Sequence, residues 1–161
     1  MNTERKMTAT YTFRAKNEGD TEQFGSRLSK QFSGDEIVGL IGTLGSGKTR
    51  LVQAIAGALG IDPRDVVSPT YVLLHEHRGT YPVFHFDLYR VADRDEWSEL
   101  GVDEILEGEG IALLEWADRF REQMPSSWLE IAIEVHGEHE RSFTCTAHGK
   151  RYEELIASLQ S

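Results

Sequence analysis

The segment Gly42-Thr43-Leu44-Gly45-Ser46-Gly47-Lys48-Thr49 fits the pattern G-x-x-x-x-G-K-[ST], and each position in it has a mechanical reason. Glycines let successive backbone N–H groups turn inward around a phosphate, where a Cβ would crowd it. The helix expected to follow presents free N–H groups and a positive dipole end to the same point. Lys48 supplies a mobile point charge for β- and γ-phosphates. Thr49 supplies a hydroxyl for a Mg²⁺ ion bridging those phosphates. Arg50, directly after it, is grouped with the phosphate-facing residues. The context argues against a chance match. An apolar run, Ile37–Ile41, precedes the loop, and Leu51, Val52, Ile55, Ala56 and Leu59 mark one helix face after it. The loop implies nucleotide phosphate binding and leaves the reaction open.

Such a loop needs a carboxylate to hold the metal's hydration shell or to position an attacking water. In open α/β sheets that residue sits at the end of a buried strand. Glu115 follows Ile111-Ala112-Leu113-Leu114, and Asp87 follows Val83-Phe84-His85-Phe86. Which of the two touches metal stays open. Ser68-Pro69-Thr70 lies where switch-like segments carry a hydroxyl to a γ-phosphate, although alone it reads as an ordinary turn. Trp116 either covers a nucleotide or packs in the core, and packing is slightly favoured. His75, His77 and His85 have no metal-ligand spacing and read as surface or hydrogen-bonded histidines.

The elements that must position these groups follow from periodicity. Ala9, Tyr11 and Phe13 predict a first strand, and Asp20 with Gln23 a capping box for a helix carrying Phe24, Leu28 and Phe32. Ile37–Ile41 reads as a buried, parallel strand. Gly60 is the expected stop of the helix after the loop, with Pro63 beyond. Tyr81–Phe86 and Gly110–Leu114 read as further strands. Trp97, Leu100, Ile105 and Leu106 suit the inner side of a helix in the acidic stretch between them. Leu129, Ile131, Ile133 and Val135 alternate, Gly137–Glu140 is turn-like, and Phe143 and Cys145 return, which predicts a C-terminal β-hairpin. Leu155, Ile156 and Leu159 predict a closing helix. The sum is a single α/β domain over 1–161, with a mixed, mainly parallel central sheet flanked by helices.

With 17 Lys plus Arg against 27 Asp plus Glu, the 161-residue chain carries a formal net charge of −10. That argues against direct grip on DNA or RNA phosphates and against an anionic membrane surface. The single Cys145 excludes an intramolecular disulfide. The first ten residues, MNTERKMTAT, lack the apolar stretch of a signal peptide, and no run suits a membrane span, so a cytoplasmic location is expected.

Taken in order, Leu44–Thr49, Ser68-Pro69-Thr70-Tyr71, His85-Phe86-Asp87-Leu88-Tyr89-Arg90 and Glu115-Trp116, together with Leu100-Gly101, resemble the TsaE (YjeE) family. Its members are small bacterial P-loop ATPases of tRNA threonylcarbamoyladenosine biosynthesis. The resemblance spans about Asp20 to Arg119. Ser46 stands where the family usually has Ala, and Ala117 where it usually has Pro. The resemblance implies a P-loop NTPase fold with ATP and Mg²⁺ as cofactors. Lys48, Asp87 and Glu115 become the catalytic set, and Thr49, Glu115 and Asp87 the residues at the metal. Gly42, Leu44, Gly45, Ser46, Gly47, Lys48, Thr49 and Arg50 take the phosphates. Thr70 matches a switch-like threonine and Trp116 an active-site tryptophan. Glu18 and Thr21 fall in the stretch near the adenine. It further implies slow ATP hydrolysis stimulated by the TsaD and TsaB proteins, with tRNA reached only through that complex. Two other readings compete. A small-molecule kinase would need an Arg-bearing lid, whereas Arg90, Arg94, Arg119 and Arg121 are scattered. A non-hydrolysing nucleotide-binding regulator is opposed by the intact Lys48, Thr49 and Glu115.

Overall fold

A computed structural model describes residues 9–43, 45–67 and 73–160. The expectations on Leu44 and on the Ser68–Tyr71 segment with Thr70 lie outside them. In chain order the elements are β1 (Thr10–Ala15), α1 (Glu18–Ser29), β2 (Ile37–Ile41), α2 (Lys48–Ala58), β3 (Leu74–Arg78), β4 (Pro82–Asp87), α3 (Arg94–Glu99), α4 (Val102–Glu107), β5 (Ile111–Glu115), β6 (Trp128–Val135), β7 (Arg141–His148) and α5 (Lys150–Gln160). The strands form one sheet in the order β1-β7-β6-β2-β5-β4-β3. Its centre, β6-β2-β5-β4, is parallel. The flanks, β1-β7-β6 and β4-β3, are antiparallel. This is the mixed sheet with a C-terminal hairpin that the periodicity predicts.

Period-two alternation sorts the side chains between two cores. Val38, Leu40, Val83, Ile111 and Leu113 face α1, α2 and α5, where Phe24 lies stacked between Phe13 and Phe143 at 5.1 Å from each. Ile37, Phe86, Ala112 and Leu114 face the other way, onto Trp97, Val102 and Phe120. Cys145 lies in the first core, and burial pushes its thiol up to about 12.

Helix α2 stops as expected. Gly60 has φ +84, the Ile61 N–H donates to Ala56 O at 3.0 Å, and the Gly60 N–H donates to Gly57 O at 3.2 Å. This pair of bonds satisfies carbonyls that the helix end would leave open. Two expectations are corrected. The capping box sits three residues earlier: Asn17 Oδ1 accepts from Asp20 N at 2.9 Å, and Asp20 Oδ2 from Lys16 N at 2.9 Å. Asn is as good an N-cap as Asp, and the extended φ of −157 at Asn17 is what an N-cap requires. The acidic stretch forms two short helices, because Gly101 turns the chain at φ +71 between them. Strand β3 is a feature the sequence reading missed.

The connection into β2 is held by Glu36, which is 1% exposed. Its carboxylate accepts from Ser33 N at 2.8 Å, Gly34 N at 2.9 Å and Arg151 of α5 at 2.7 Å. Glu36→Ala leaves the amides of Ser33, Gly34 and Asp35 without their acceptor, while Arg151 keeps Asp35. Arg151 is 40% exposed and can turn to water, which limits the loss. The expected cost is about 2–3 kcal/mol of unfolding free energy, read as a lower urea midpoint at unchanged slope.

Candidate functional site

The parallel centre of the sheet brings three strand ends together. Register pairs Leu40 with Glu115, and Asp87 with Glu115. Both carboxylates therefore arrive one strand apart, on the face that carries α2, beside the loop that follows Ile41.

The loop then turns sharply. Gly45 has φ +78 and Gly47 φ +104, conformations that cost little only for glycine. Gly47 is also the N-cap of α2 and offers no side chain to its first amides. Among the described residues a Cβ on Gly45 would meet nothing within 4 Å. These features fit a cradle that takes an anion on backbone N–H groups.

Lys48 is 5% exposed. Its Nζ donates to Gly42 O at 2.7 Å and Thr43 O at 2.9 Å, and lies 3.8 Å from the centroid of the Trp116 ring. Burial pulls its ammonium below the usual lysine value, while Glu115, Asp118 and Asp87 oppose that shift. The Thr49 hydroxyl donates to Glu115, with its Oγ1 3.0 and 3.1 Å from the two carboxylate oxygens. Glu115 is also bonded to Nε2 of His85. A carboxylate only accepts, so this nitrogen carries the proton. His85 is wholly buried, and its Nδ1 has no partner among the described residues. Asp87 Oδ1 accepts from Tyr89 N at 2.9 Å. Burial raises the Asp87 carboxyl, and the negative charge of Glu115 adds to that.

Trp116 has φ +62, alone among the described non-glycine residues in adopting a positive φ. A bulky residue there is strained, and such strain gathers at functional sites. The turn carries Ala117 into the core and leaves the indole beside Lys48 and 4.8 Å from the Tyr89 ring. Trp116 is partly buried and packs against the second core while its ring also meets Lys48, so both readings of it from sequence describe part of its surroundings.

Two adjoining hollows result. One, of about 430 Å³, is lined by Gly45, Gly47, Lys48, Thr49, Arg50, Asp87, Glu115 and Trp116, with Tyr89 and Arg90 at its rim. The other, of about 180 Å³, is lined by Glu18, Thr21, Ser46, Gly47 and Arg50, together with Asn17, Glu138 and His139 of the β6–β7 turn, and Arg141 and Phe143 of β7. Gly47 and Arg50 border both, and Arg50 pairs with Glu18 across α1 and α2. Gly42 lies at the loop's start, where a Cβ would come within 2.5 Å of Ser46 Oγ. The predicted site residues among those described are thus gathered at the loop and its two flanks. Carboxylate and hydroxyl oxygens of this kind are the ligand types that could hold Mg²⁺, an ion that keeps much of its water and takes further oxygens from phosphate.

Sequence reasoning did not single out His85 as a partner of Glu115, or Arg141 beside the loop. The first had a signal. His85 and Asp87 are two apart on one strand and must share a face.

Sheet order, loop and strand-end carboxylates define an α/β protein of the P-loop NTPase class. A family model described as "Threonylcarbamoyl adenosine biosynthesis protein TsaE" matches residues 15–143, and the chain belongs to that family. It is 42% identical over 125 residues to the tRNA threonylcarbamoyladenosine biosynthesis protein TsaE of Bacillus subtilis, covering 77% of each chain. It is 40% identical over 111 residues to the protein of that name from a Synechocystis species, covering 66% of this chain and 69% of the other. The crystal structure of YdiB from B. subtilis superposes with a TM-score of 0.78 at 33% identity, covering 96% of each chain. The family is one of tRNA threonylcarbamoyladenosine biosynthesis. Among the described residues no helix is long and apolar enough to cross a membrane.

Proposed function

We propose that this protein binds ATP with Mg²⁺, hydrolyses it slowly, and in doing so supports TsaD and TsaB in forming threonylcarbamoyladenosine in tRNA. The observation that carries the reading is the convergence of Lys48, Thr49 and Glu115 on one hollow at the mouth of the loop. The loop amides and Lys48 hold the phosphates and stabilise charge developing on the γ-phosphoryl group. Thr49 and Glu115 would hold the metal. Bound Mg²⁺ would neutralise charge on the phosphate oxygens. Asp87, beside Glu115 on the next strand, orients the attacking water, and its raised carboxyl is the better proton acceptor for that work. Trp116 and Tyr89, in contact with each other, supply the aromatic part of the hollow's lining. A formal net charge of −10 suits a subunit that reaches tRNA through its partners.

The test is phosphate release from ATP, with and without purified TsaD and TsaB. The expected result is slow turnover alone and at least about tenfold stimulation by the pair, the scale of a catalytic group brought into place. Transfer of phosphate to an added metabolite would replace this reading with a kinase. Tight ATP binding without turnover in either condition would replace it with a regulator.

A further inference from the structure

A loop that turns its N–H groups inward must turn carbonyls outward, and a buried carbonyl needs a donor. The carbonyls of Gly42 and Thr43 are taken by Lys48, and that of Gly47 by the Leu51 N–H at 3.0 Å. The carbonyl of Ser46, a residue with no exposed surface, is taken from outside the loop. Arg141 Nε donates to it at 2.9 Å, across 95 residues of sequence. The same guanidinium donates through Nη1 to the carbonyls of Gly137 at 2.8 Å and Glu140 at 2.9 Å in the β6–β7 turn. One planar group with several fixed donors thus fastens the turn to the loop.

The contact has a geometric consequence. The Ser46 carbonyl and the Gly47 N–H belong to one trans peptide plane and point in opposite directions. Holding the carbonyl out towards Arg141 therefore aims the Gly47 N–H away from Arg141, into the loop's interior. Gly47 borders both hollows.

We propose that Arg141 is the positioning residue of the phosphate loop, and that through it the β6–β7 turn sets how firmly the loop holds a polyphosphate. This rests on the phosphate-binding reading of the loop. It gives the C-terminal hairpin, which carries no chemistry of its own, a part in the site.

The experiment compares full-length wild type with Arg141→Ala and Arg141→Lys. ADP affinity is measured by calorimetry, and amide exchange at the loop is measured without nucleotide. Arg141→Ala is expected to weaken ADP binding about 10- to 100-fold, the scale of one lost charge-assisted hydrogen bond. Exchange at Gly45, Gly47 and Lys48 should quicken at least about fivefold, with β2 and β5 unchanged, as local opening without global unfolding requires. Arg141→Lys should recover less than half of either effect, since a point charge cannot serve loop and turn together. Full recovery by lysine would reduce Arg141 to a charge and overturn the proposal. So would wild-type affinity in Arg141→Ala, or exchange that quickens equally throughout the sheet. If wild type itself fails to bind ADP, the phosphate-binding reading falls. If wild type binds and Arg141→Ala matches it, only the role of Arg141 falls.

Discussion

Lys48→Ala is expected to remove ATP turnover, by about 10³-fold or more, and to weaken nucleotide affinity at least about 100-fold. The fold should be untouched. The ammonium is buried at a cost, shown by its lowered pKa, and its bonds are to two loop carbonyls and not to the core. Swinging from those carbonyls to phosphate exchanges neutral acceptors for charged ones, which strengthens each bond roughly twofold. Alanine forfeits that gain, removes the cost of the buried ammonium, and leaves the Gly42 and Thr43 carbonyls without this donor and Glu115 without a nearby cation. The thermal midpoint without nucleotide should therefore change little, since relief of the buried ammonium offsets the lost donor, while the upward shift that ADP gives wild type should vanish. Linkage supplies a second check. The native pKa lies below 10.5, so near that range the unfolded chain binds more protons. This residue's contribution to stability then improves as pH rises from its native pKa to 10.5, and Lys48→Ala should lose that increment. Turnover that survives the substitution would remove the mechanism. A collapsed midpoint would mean that Lys48 serves the fold before the site.

Local features of this protein are legible because few alternatives satisfy them. The apolar run Ile37–Ile41, the glycine-spaced loop and the helix ending at Gly60 are each fixed by backbone chemistry within a few residues. The strand-end carboxylates follow from parallel pairing, since Asp87 and Glu115 end adjacent strands in register. What escaped depends on surroundings. Strand β3 reads Leu-His-Glu-His-Arg and sits at the sheet edge, so its alternation is half-exposed against exposed and leaves no apolar trace. The acidic stretch keeps its apolar stripe, yet Gly101 breaks it, and only the burial of both Trp97 and Val102 shows why each half is kept. Asn17 caps α1 because the chain leaves β1 extended at that point, a fact of tertiary entry angle that Asp20 and Gln23 do not disclose. Arg141 is hidden by distance along the chain. Its value lies in meeting a carbonyl that belongs to another element, and carbonyls leave no mark in a sequence.

Glu115→Gln separates the metal from the phosphates. The carboxylate accepts two hydrogen bonds from different sides, from the Thr49 hydroxyl and from Nε2–H of His85. Glutamine keeps the volume but has one accepting oxygen, so its amide nitrogen must face one of these donors. The Thr49 side is then turned or the His85 side is pushed away, and the negative charge is gone. The expected result is turnover lowered about 10²- to 10³-fold and the Mg²⁺ requirement raised at least about tenfold, with ADP affinity in chelator changed less than threefold. His85→Gln makes the useful comparison. Its amide N–H can stand where Nε2–H stood and keep Glu115 aimed at Thr49, so it should retain more activity than His85→Leu, which leaves a buried carboxylate short of a donor. The ordering Gln above Leu at position 85, with Mg²⁺ dependence following turnover, follows only if His85 works through Glu115. Equal loss in both, or a Glu115→Gln protein with ordinary Mg²⁺ dependence, would move the metal to Asp87 and leave Glu115 as the acceptor that holds Thr49 and His85 in place.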